Sequence, residues 1–437
     1  MSIVAIVGRP NVGKSTLFNH LVGRRMAIVA EMPGTTRDRV SAEVVYVNHH
    51  FILVDTGGLE PDPSSEIQKG VMAQIHMAIE EADVIIFMVD ARDGLTAADL
   101  DVSGVLRRSG KPLVLAANKV DNEKHEAEVP DFYRLGIGDP VAISAYHHRG
   151  LDHLMNLVVD FLPPSTPQDH EGAMKIAIVG RPNVGKSMLL NAILGQDRAI
   201  VSETPGTTRD SIDTVFEYEG ESLVLIDTAG VRRRGRIGQG VERYSVLRAM
   251  QAIYRADVAV LLVDASELMT AQDLHIWGYT KDAFKGVVVV VNKWDLASEM
   301  GLTKQNTTPY IRARLKAAQY VPILYVSAKE RQGIGEVIPT AQEIFQERGK
   351  RVTTSALNRV IIRALASSPV PSSRGRHLKV FYATQSDVHP PTFVLFVNDP
   401  SLMHFSYQRY LENRLRAAFG FRGTPLQLLY QRRNEKR

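Results

Sequence analysis

The stretch that decides the fold reads Gly8-Arg9-Pro10-Asn11-Val12-Gly13-Lys14-Ser15. The same eight residues return 172 positions later as Gly180-Arg181-Pro182-Asn183-Val184-Gly185-Lys186-Ser187. Each copy follows a short apolar run and leads into an apolar pattern with helical spacing. Strand, glycine-rich loop and helix in this order are the context of a P-loop, whose main-chain N–H groups surround phosphate. A plain turn before a helix is the alternative, and two identical copies disfavour it.

Each residue type in such a loop has a separate task. The lysine reaches the β- and γ-phosphate oxygens, and the serine hydroxyl holds Mg²⁺. We therefore predict these tasks for Lys14 and Ser15 in the first copy and for Lys186 and Ser187 in the second.

Length and composition limit the class of protein. The 437 residues suggest about three domains. No apolar run approaches the ~20 residues of a membrane span, and the N-terminus lacks the layout of a signal peptide. The absence of cysteine excludes disulfides and thiolate metal sites. We expect a cytoplasmic protein without a membrane partner.

Charge is divided unevenly along the chain. Residues 351–437 contain 14 Lys and Arg against 4 Asp and Glu, a net charge of +10, whereas residues 1–350 carry a net charge of −6. A basic C-terminal module on an acidic body predicts a polyanionic partner for that module.

Two further motifs, Pro-Gly-Thr-Thr and D-x-x-G, follow each P-loop in the same order. Pro33-Gly34-Thr35-Thr36 and Pro205-Gly206-Thr207-Thr208 read as loops. We predict that Thr36 and Thr208 bind Mg²⁺ and the γ-phosphate, with the preceding threonines as neighbouring candidates and a solvated turn as the alternative. The D-x-x-G motifs, Asp55-Thr56-Gly57-Gly58 and Asp227-Thr228-Ala229-Gly230, each follow an apolar strand.

The D-x-x-G motif has the parts of a switch. An aspartate at the strand end can hold Mg²⁺ through a water molecule, and the N–H of Gly58 or Gly230 can bond the γ-phosphate. Loss of that phosphate would release the loop beyond the glycine.

A third pair of motifs predicts the base that is bound. Asn118-Lys119-Val120-Asp121 and Asn292-Lys293-Trp294-Asp295 each end an apolar strand. The aspartate can accept hydrogen bonds from guanine N1–H and N2–H, a donor pair that adenine lacks, so discrimination of about 10⁴ is within reach. Ser144-Ala145 and Ser327-Ala328-Lys329 are expected to complete the two pockets.

The C-terminal module reads as helix 355–366, strands 378–384 and 392–397, helix 406–418 and strand 425–430. Within it, Gly420-Phe421-Arg422-Gly423 matches the G-x-x-G of KH domains. It lies between a helix and a strand, so a glycine helix stop is the better interpretation.

The fold class is therefore α/β, with two tandem P-loop domains of mostly parallel sheet and helices on both faces, then a small α+β domain. The expected boundaries are 1–162, a linker over 163–173, 174–348 and 349–437.

These motifs, twice in the same order, resemble the Der (EngA) family of bacterial double GTPases, which carry two Era-type GTPase domains and a KH-like domain. The resemblance covers nearly the whole chain. It implies GTP hydrolysis, with GTP and GDP as ligands, and action in assembly of the large ribosomal subunit with ribosomal RNA as partner. We expect a monomer, with no DNA partner. Tyr146 stands where the second copy has Lys329, so base stacking can differ in the first site.

The residue after each D-x-x-G is Leu59 or Val231, where the usual mechanism needs a glutamine to orient water. Similar GTPases use K⁺ held by a P-loop asparagine. We therefore predict K⁺ at Asn11 and Asn183, with stabilisation of the loop turn as the alternative role. Slow turnover is expected, because hydrolysis here is a switch-off reaction.

The segment after the second D-x-x-G is strongly basic, whereas the first copy has Glu60-Pro61-Asp62-Pro63 there. It either binds RNA phosphates or docks on an acidic face in one nucleotide state, and a solvated loop is the alternative. The arginines concerned are Arg232, Arg233, Arg234 and Arg236.

Two other classes of function compete with an RNA-binding assembly factor. The first is a GTP-controlled adaptor whose C-terminal module binds protein. The second, a P-loop kinase for small molecules, is disfavoured because N-K-x-D and the Thr-Thr loop have no role in it.

Overall fold

The computed structural model describes residues 1–23, 41–47, 49–58, 72, 75–76, 78–162, 173–196, 198–201, 213–226, 246–316, 318–368 and 377–433. It divides into two compact units, Met1–Asp169 with Ser245–Gln251 and His170–Tyr244 with Ala252–Arg437. Within the described ranges, no helix has the length and apolar character needed to cross a bilayer.

The first unit is built on a six-stranded sheet. Its strands are β1 (Ser2–Gly8), β2 (Ser41–Tyr46), β3 (His49–Asp55), β4 (Val84–Asp90), β5 (Leu113–Asn118) and β6 (Val141–Ala142). Their order in the sheet is β2-β3-β1-β4-β5-β6, and only the β2–β3 pair is antiparallel. Its helices include α1 (Lys14–Gly23), α2 (Ala97–Arg108), α3 (Glu123–Glu126) and α4 (Leu151–Asp160).

The order of these strands decides where a ligand can bind. The chain builds the sheet to one side of β1 and then crosses to β4 on the other side. Ligands of open α/β sheets bind at such a switch point, beyond the carboxyl ends of the strands. The first P-loop leaves β1 at this point, and every residue of β4 is buried, as expected for a parallel strand covered on both faces.

The second unit repeats the plan on a seven-stranded sheet. Its strands are β7 (Met174–Val179), β8 (Ala199–Val201), β9 (Thr214–Tyr218), β10 (Glu221–Ile226), β11 (Val258–Asp264), β12 (Gly286–Asn292) and β13 (Ile323–Tyr325). Their order is β13-β12-β11-β7-β10-β9-β8, with β8 as an added edge strand. Its helices include α5 (Lys186–Leu194), the residues from Ala252 onward of α6 (Val246–Arg255), α7 (Ala271–Asp282), α8 (Lys304–Arg314) and α9 (Val337–Arg348).

Helices cover both faces of the second sheet. One hydrophobic cluster joins its strands to α5 and α9, and another joins them to α6, α7 and α8. The predicted arrangement of two P-loop α/β domains is therefore confirmed.

The C-terminal residues of the second unit form a separate small module. It contains α10 (Thr354–Ser367), β14 (Val380–Val388), β15 (Pro391–Val397), α11 (Phe405–Phe419) and β16 (Gln427–Arg432). The three strands form a mixed sheet in order β14-β15-β16, and the two helices pack on it around Leu357, Phe393 and Leu411. This is the α+β fold predicted from the sequence. Gly420 caps the C-terminus of α11 with φ +90°, as the helix-stop interpretation requires.

Main-chain hydrogen bonds join this module to the second sheet. The Val287 N–H of β12 donates to the Gly423 carbonyl at 2.7 Å, and the Gly423 N–H donates to the Tyr320 carbonyl at 2.8 Å. Gly423 thus forms main-chain hydrogen bonds on both sides, to β12 and to the segment before β13, as a residue within a β-sheet does. The G-x-x-G loop therefore connects the C-terminal module to the second sheet.

Candidate nucleotide sites

The P-loop lysines lie across the mouths of their loops. Lys14 Nζ donates to the carbonyls of Gly8 and Arg9, both at 2.8 Å. Lys186 Nζ donates to the carbonyls of Gly180 and Arg181 at 2.9 and 2.6 Å. In each site an ammonium group is therefore held where the loop N–H groups and the helix N-terminus favour phosphate oxygens.

The loop arginines point elsewhere. Arg9 Nε donates to Asp99 Oδ1 at 2.9 Å, and Asp99 belongs to the capping box of α2. Arg181 pairs with Glu267 at 2.6 Å and lies 3.8 Å from the buried Asp273 in the capping box of α7. Burial is the main cause that raises the pKa of Asp273. The guanidinium groups of Arg9 and Arg181 thus lie against carboxylates of the chain itself.

Two of the three predicted Mg²⁺ ligands of the first site, Ser15 and Asp55, lie in contact. Ser15 Oγ donates to Asp55 Oδ2 at 2.5 Å, and the Gly57 N–H donates to Asp55 Oδ1 at 2.9 Å. Thr56 turns away, donating to the Ile6 carbonyl at 2.7 Å, and so fixes the end of β3. A hydroxyl and a carboxylate oxygen form the donor set that a hard cation such as Mg²⁺ prefers.

Buried asparagines tie the P-loops to the base pockets. Asn118 Nδ2 donates to the Val12 carbonyl at 2.8 Å, and its Oδ1 accepts from the Ala145 N–H at 2.9 Å. In the second site, Asn292 makes the same bonds with the Val184 carbonyl and the Ala328 N–H, at 2.8 and 2.9 Å. The first residue of N-K-x-D therefore holds three loops together, a role that the motif alone did not reveal.

The carboxylates predicted to read guanine are held alike in both sites. Ser144 Oγ donates to Asp121 Oδ1 at 2.6 Å, and Ser327 Oγ donates to Asp295 Oδ1 at 2.6 Å. The Ser144 bond is the largest cause that lowers the pKa of Asp121, with Arg92 adding to it against the effect of burial. An ionised carboxylate at this edge can accept from two adjacent N–H donors of a base.

The lysines of N-K-x-D have partners that sequence reasoning missed. Lys119 pairs with Asp90 at the end of β4, and Lys293 Nζ lies 2.6 Å from Asp264 at the end of β11. Burial acts to raise the pKa of Asp264, but hydrogen bonds from Lys293 and Ser266 outweigh it and lower that pKa. Each aspartate is the middle residue of a Val-Asp-Ala stretch at the end of an apolar strand, and this repeated stretch is the signal that could have found them.

The remaining predicted residues lie around these frameworks. Asn11 and Asn183 are exposed at the loop surface with φ +66° and +63°, a conformation that asparagine tolerates well. Tyr146 and Lys329 are both exposed at the rims of their pockets. Trp294 packs on Tyr325 with ring centroids 4.4 Å apart. The other loop positions are buried or half-buried, except for the exposed Pro10; they are Val12, Gly13, Val120, Pro182, Val184 and Gly185.

Several predicted residues lie outside the described ranges and stay predictions. They are Thr36, Thr208, Leu59, Asp227, Thr228, Ala229, Gly230, Val231, Arg232, Arg233, Arg234 and Arg236.

Two arginines distinguish the first base pocket from the second. In the first, Arg92 contacts Asp121 Oδ2, and Arg149 Nη1 donates to the Asp121 carbonyl at 3.3 Å. The matching positions in the second pocket hold Ser266 and Gln332. Both oxygens of Asp121 therefore have a protein donor before a base arrives.

We expect Arg92→Ser to tighten GDP binding at the first site by up to about fivefold. The Arg92 side chain is 54% exposed, so its ion pair is worth ~1 kcal/mol or less, and guanine must compete with it. Calorimetric titration of the variant measures the change, with the second site as internal reference. Weaker GDP binding would instead show that Arg92 holds Asp121 in place.

Two family models match three parts of the chain. A family model described as 50S ribosome-binding GTPase matches residues 3–119 and 175–293. A second, described as KH-domain-like of EngA bacterial GTPase enzymes, C-terminal, matches residues 351–431.

Individual relatives agree with the family models. GTPase Der of Caldanaerobacter subterraneus subsp. tengcongensis is 49% identical over 435 residues, covering 99% of each chain. GTPase Der of Geobacillus thermodenitrificans is 50% identical over 428 residues, covering 98% of each chain. Among solved structures, the FeoB G-domain of Methanococcus jannaschii shares 27% identity over 37% of this chain and 98% of that chain, with a TM-score of 0.29.

Proposed function

The chain belongs to the Der family of GTPases, and from this premise we propose that it acts in assembly of the large ribosomal subunit through nucleotide-dependent binding of ribosomal RNA. It is a GTP-binding GTPase of the EngA type with a KH-like C-terminal domain. The family description as a 50S ribosome-binding GTPase supports the ribosomal part of the proposal.

The matched pair of base pockets is the observation that carries the nucleotide-dependent part of the proposal. In both, a serine hydroxyl holds an aspartate carboxylate at 2.6 Å, and a buried asparagine links the pocket to the P-loop. Two complete sets of these contacts in one chain support two guanine sites, each coupled to its own phosphate loop.

Mg²⁺ is the cofactor that suits the first site. We infer that Ser15 and Thr36 bind it directly and Asp55 through water, with Ser187, Thr208 and Asp227 doing so in the second site. When bound, Mg²⁺ supplies positive charge to the β- and γ-phosphate oxygens. The chain itself positions the triphosphate. Lys14 and the loop amides hold it, and the amides of Gly58 and Gly230 donate hydrogen bonds to the γ-phosphate.

K⁺ is proposed as the activator of a slow reaction. The exposed side chains of Asn11 and Asn183, in left-handed turns at the loop surface, support this assignment. We expect turnover in K⁺ to exceed that in Na⁺ by about tenfold or more. Asn11→Gly and Asn183→Gly test it, because glycine tolerates the left-handed turn and removes the side-chain amide. Loss of the K⁺ effect with an unchanged Na⁺ rate is expected, and retention of the K⁺ effect would assign the asparagines to the turn.

Domain limits and partners complete the proposal. We propose GTPase domains over 1–162 and 174–348, a linker over 163–173 and a KH-like domain over 349–437; the end of α4 at Asp160 and the start of β7 at Met174 support the linker limits. The Arg232–236 segment is proposed to bind RNA or dock in one nucleotide state. A monomer in the cytoplasm fits a ribosomal partner.

Co-sedimentation with ribosomal subunits tests the proposed function. The full chain is expected to pellet with the large subunit in a non-hydrolysable GTP analogue and to be released in GDP. Lys14→Ala and Lys186→Ala assign the control to one site or both. If sedimentation is the same with either nucleotide and with either ribosomal subunit, the result would favour the alternative, a GTP-controlled adaptor whose C-terminal domain binds protein.

A further inference from the structure

A cavity of about 630 Å³ lies where the C-terminal module meets the second GTPase domain. Thr308 and Arg312 of α8 line it from one side, and Asn413 and Arg416 of α11, with Arg422, line it from the other. Among the described residues that line it, three are arginine and none is Asp, Glu, Lys or His. The cavity has the volume of a small-ligand site, and its charge is entirely positive.

Two of these arginines already have partners. Arg416 donates twice to Glu412, at 3.1 and 2.8 Å, and to the carbonyls of Phe421 and Thr424, both at 2.9 Å. Its guanidinium also lies 3.6 Å from the centroid of the Tyr320 ring. Arg422 Nη1 pairs with Glu343 at 2.5 Å on the surface. Arg416 is therefore a structural residue, and Arg422 is partly neutralised.

Arg312 is different. It is half-buried, and its Nη1 donates to the Ala318 carbonyl at 3.2 Å. In the described part of the chain, no carboxylate lies within ion-pair distance of it. Burial lowers the pKa of Arg312; Tyr325 opposes this effect, and the positive charge of Arg422 adds to it more weakly. Since a guanidinium has five N–H donors and burying an unmatched cation is costly, this position favours an added anion.

We propose that the cavity binds a backbone phosphate of an RNA strand, with Arg312 as the main contact and Arg422 and Asn413 beside it. The RNA would then touch the second GTPase domain and the KH-like domain at once. The surroundings favour a polyanion over a small free anion, because the C-terminal module that lines one side of the cavity carries a net charge of +10 over residues 351–437. This inference rests on the proposed RNA partner and adds the place where it binds.

Arg312→Gln in the full chain tests the site, with affinity for large-subunit RNA measured at several salt concentrations. One lost phosphate contact should weaken binding about five- to eightfold at 0.1 M salt and make the log–log salt slope shallower by about 0.7 to 0.9. Arg312→Lys should recover most of the slope. Arg198→Gln, which removes the same charge from the exposed pair with Glu219, should change neither quantity.

The outcomes separate this site from the wider proposal. If the wild-type chain binds RNA and Arg312→Gln keeps its slope, the site is wrong and the proposed function stands. If the wild-type chain binds no ribosomal RNA, both fail. A third outcome would assign the cavity to small free anions. With both P-loops filled by GDP, pyrophosphate would stabilise the wild type but not Arg312→Gln, and the salt slope of RNA binding would be the same in both. Unchanged GDP binding and melting temperature show that the variant folds.

Discussion

Asp121→Asn is expected to remove GTP from the first site and leave the second filled. The asparagine would place an NH₂ group against the exocyclic N2 amino group of guanine, so two donors would face each other in a closed pocket. A buried polar group without a partner is costly, and we expect the affinity to fall by about 10³- to 10⁴-fold. Xanthine carries a carbonyl at that position, so xanthosine triphosphate should bind the variant in place of GTP.

Calorimetry with each nucleotide measures the change. The wild type should show two GTP sites. Asp121→Asn should bind xanthosine triphosphate at the first site and GTP at the second, and Asp295→Asn should bind GTP at the first site and xanthosine triphosphate at the second. The two results should mirror each other because Ser144 and Ser327 hold the two carboxylates alike. Asp121→Asn that still binds two equivalents of GTP would refute guanine recognition by this residue. The two variants also isolate each site for the K⁺ experiment.

Gly185→Ala is expected to abolish nucleotide binding at the second site. A Cβ there would lie 2.3 Å from Asn292 Nδ2, and φ is +96°. Asn292 cannot simply rotate away, because it is buried and bonded to the Val184 carbonyl and the Ala328 N–H. Displacing it breaks both bonds, a loss of ~3 kcal/mol, so the affinity should fall at least about a hundredfold.

A second glycine separates the clash from backbone strain. Gly220 also has a positive φ, +86°, but nothing lies within 4 Å of its added Cβ. Gly220→Ala should therefore cost ~1–2 kcal/mol of stability and leave GTP binding unchanged. Fluorescence of Trp294, which lies in the N-K-x-D of this site, can follow the titration. Equal GTP affinity in Gly185→Ala and the wild type would show that the Asn292 contacts do not shape the phosphate loop.

The sequence was informative wherever a motif carries its own local geometry. The P-loops, the paired N-K-x-D motifs and the α+β module could be placed because each lies at the end of an apolar strand or helix pattern. Contacts between distant segments could not. Lys119 meets Asp90, and Arg9 meets Asp99, only because the parallel strands bring their carboxyl ends to one edge. Arg92 beside Asp121 is a further case, since nothing in the motif predicts a cation there.

The backbone bridge at Gly423 changes how a shortened chain should be interpreted. Deleting the last domain strips the Val287 amide and the Tyr320 carbonyl of their partners and uncovers Ile344, whose side chain lies against Gly423. Such a truncation removes the C-terminal domain and also disturbs the edge of the second sheet near the start of β12. A growth defect in a truncated strain would therefore mix injury to a GTPase with loss of RNA contacts, and point substitutions on the outer surface are the cleaner genetic tool.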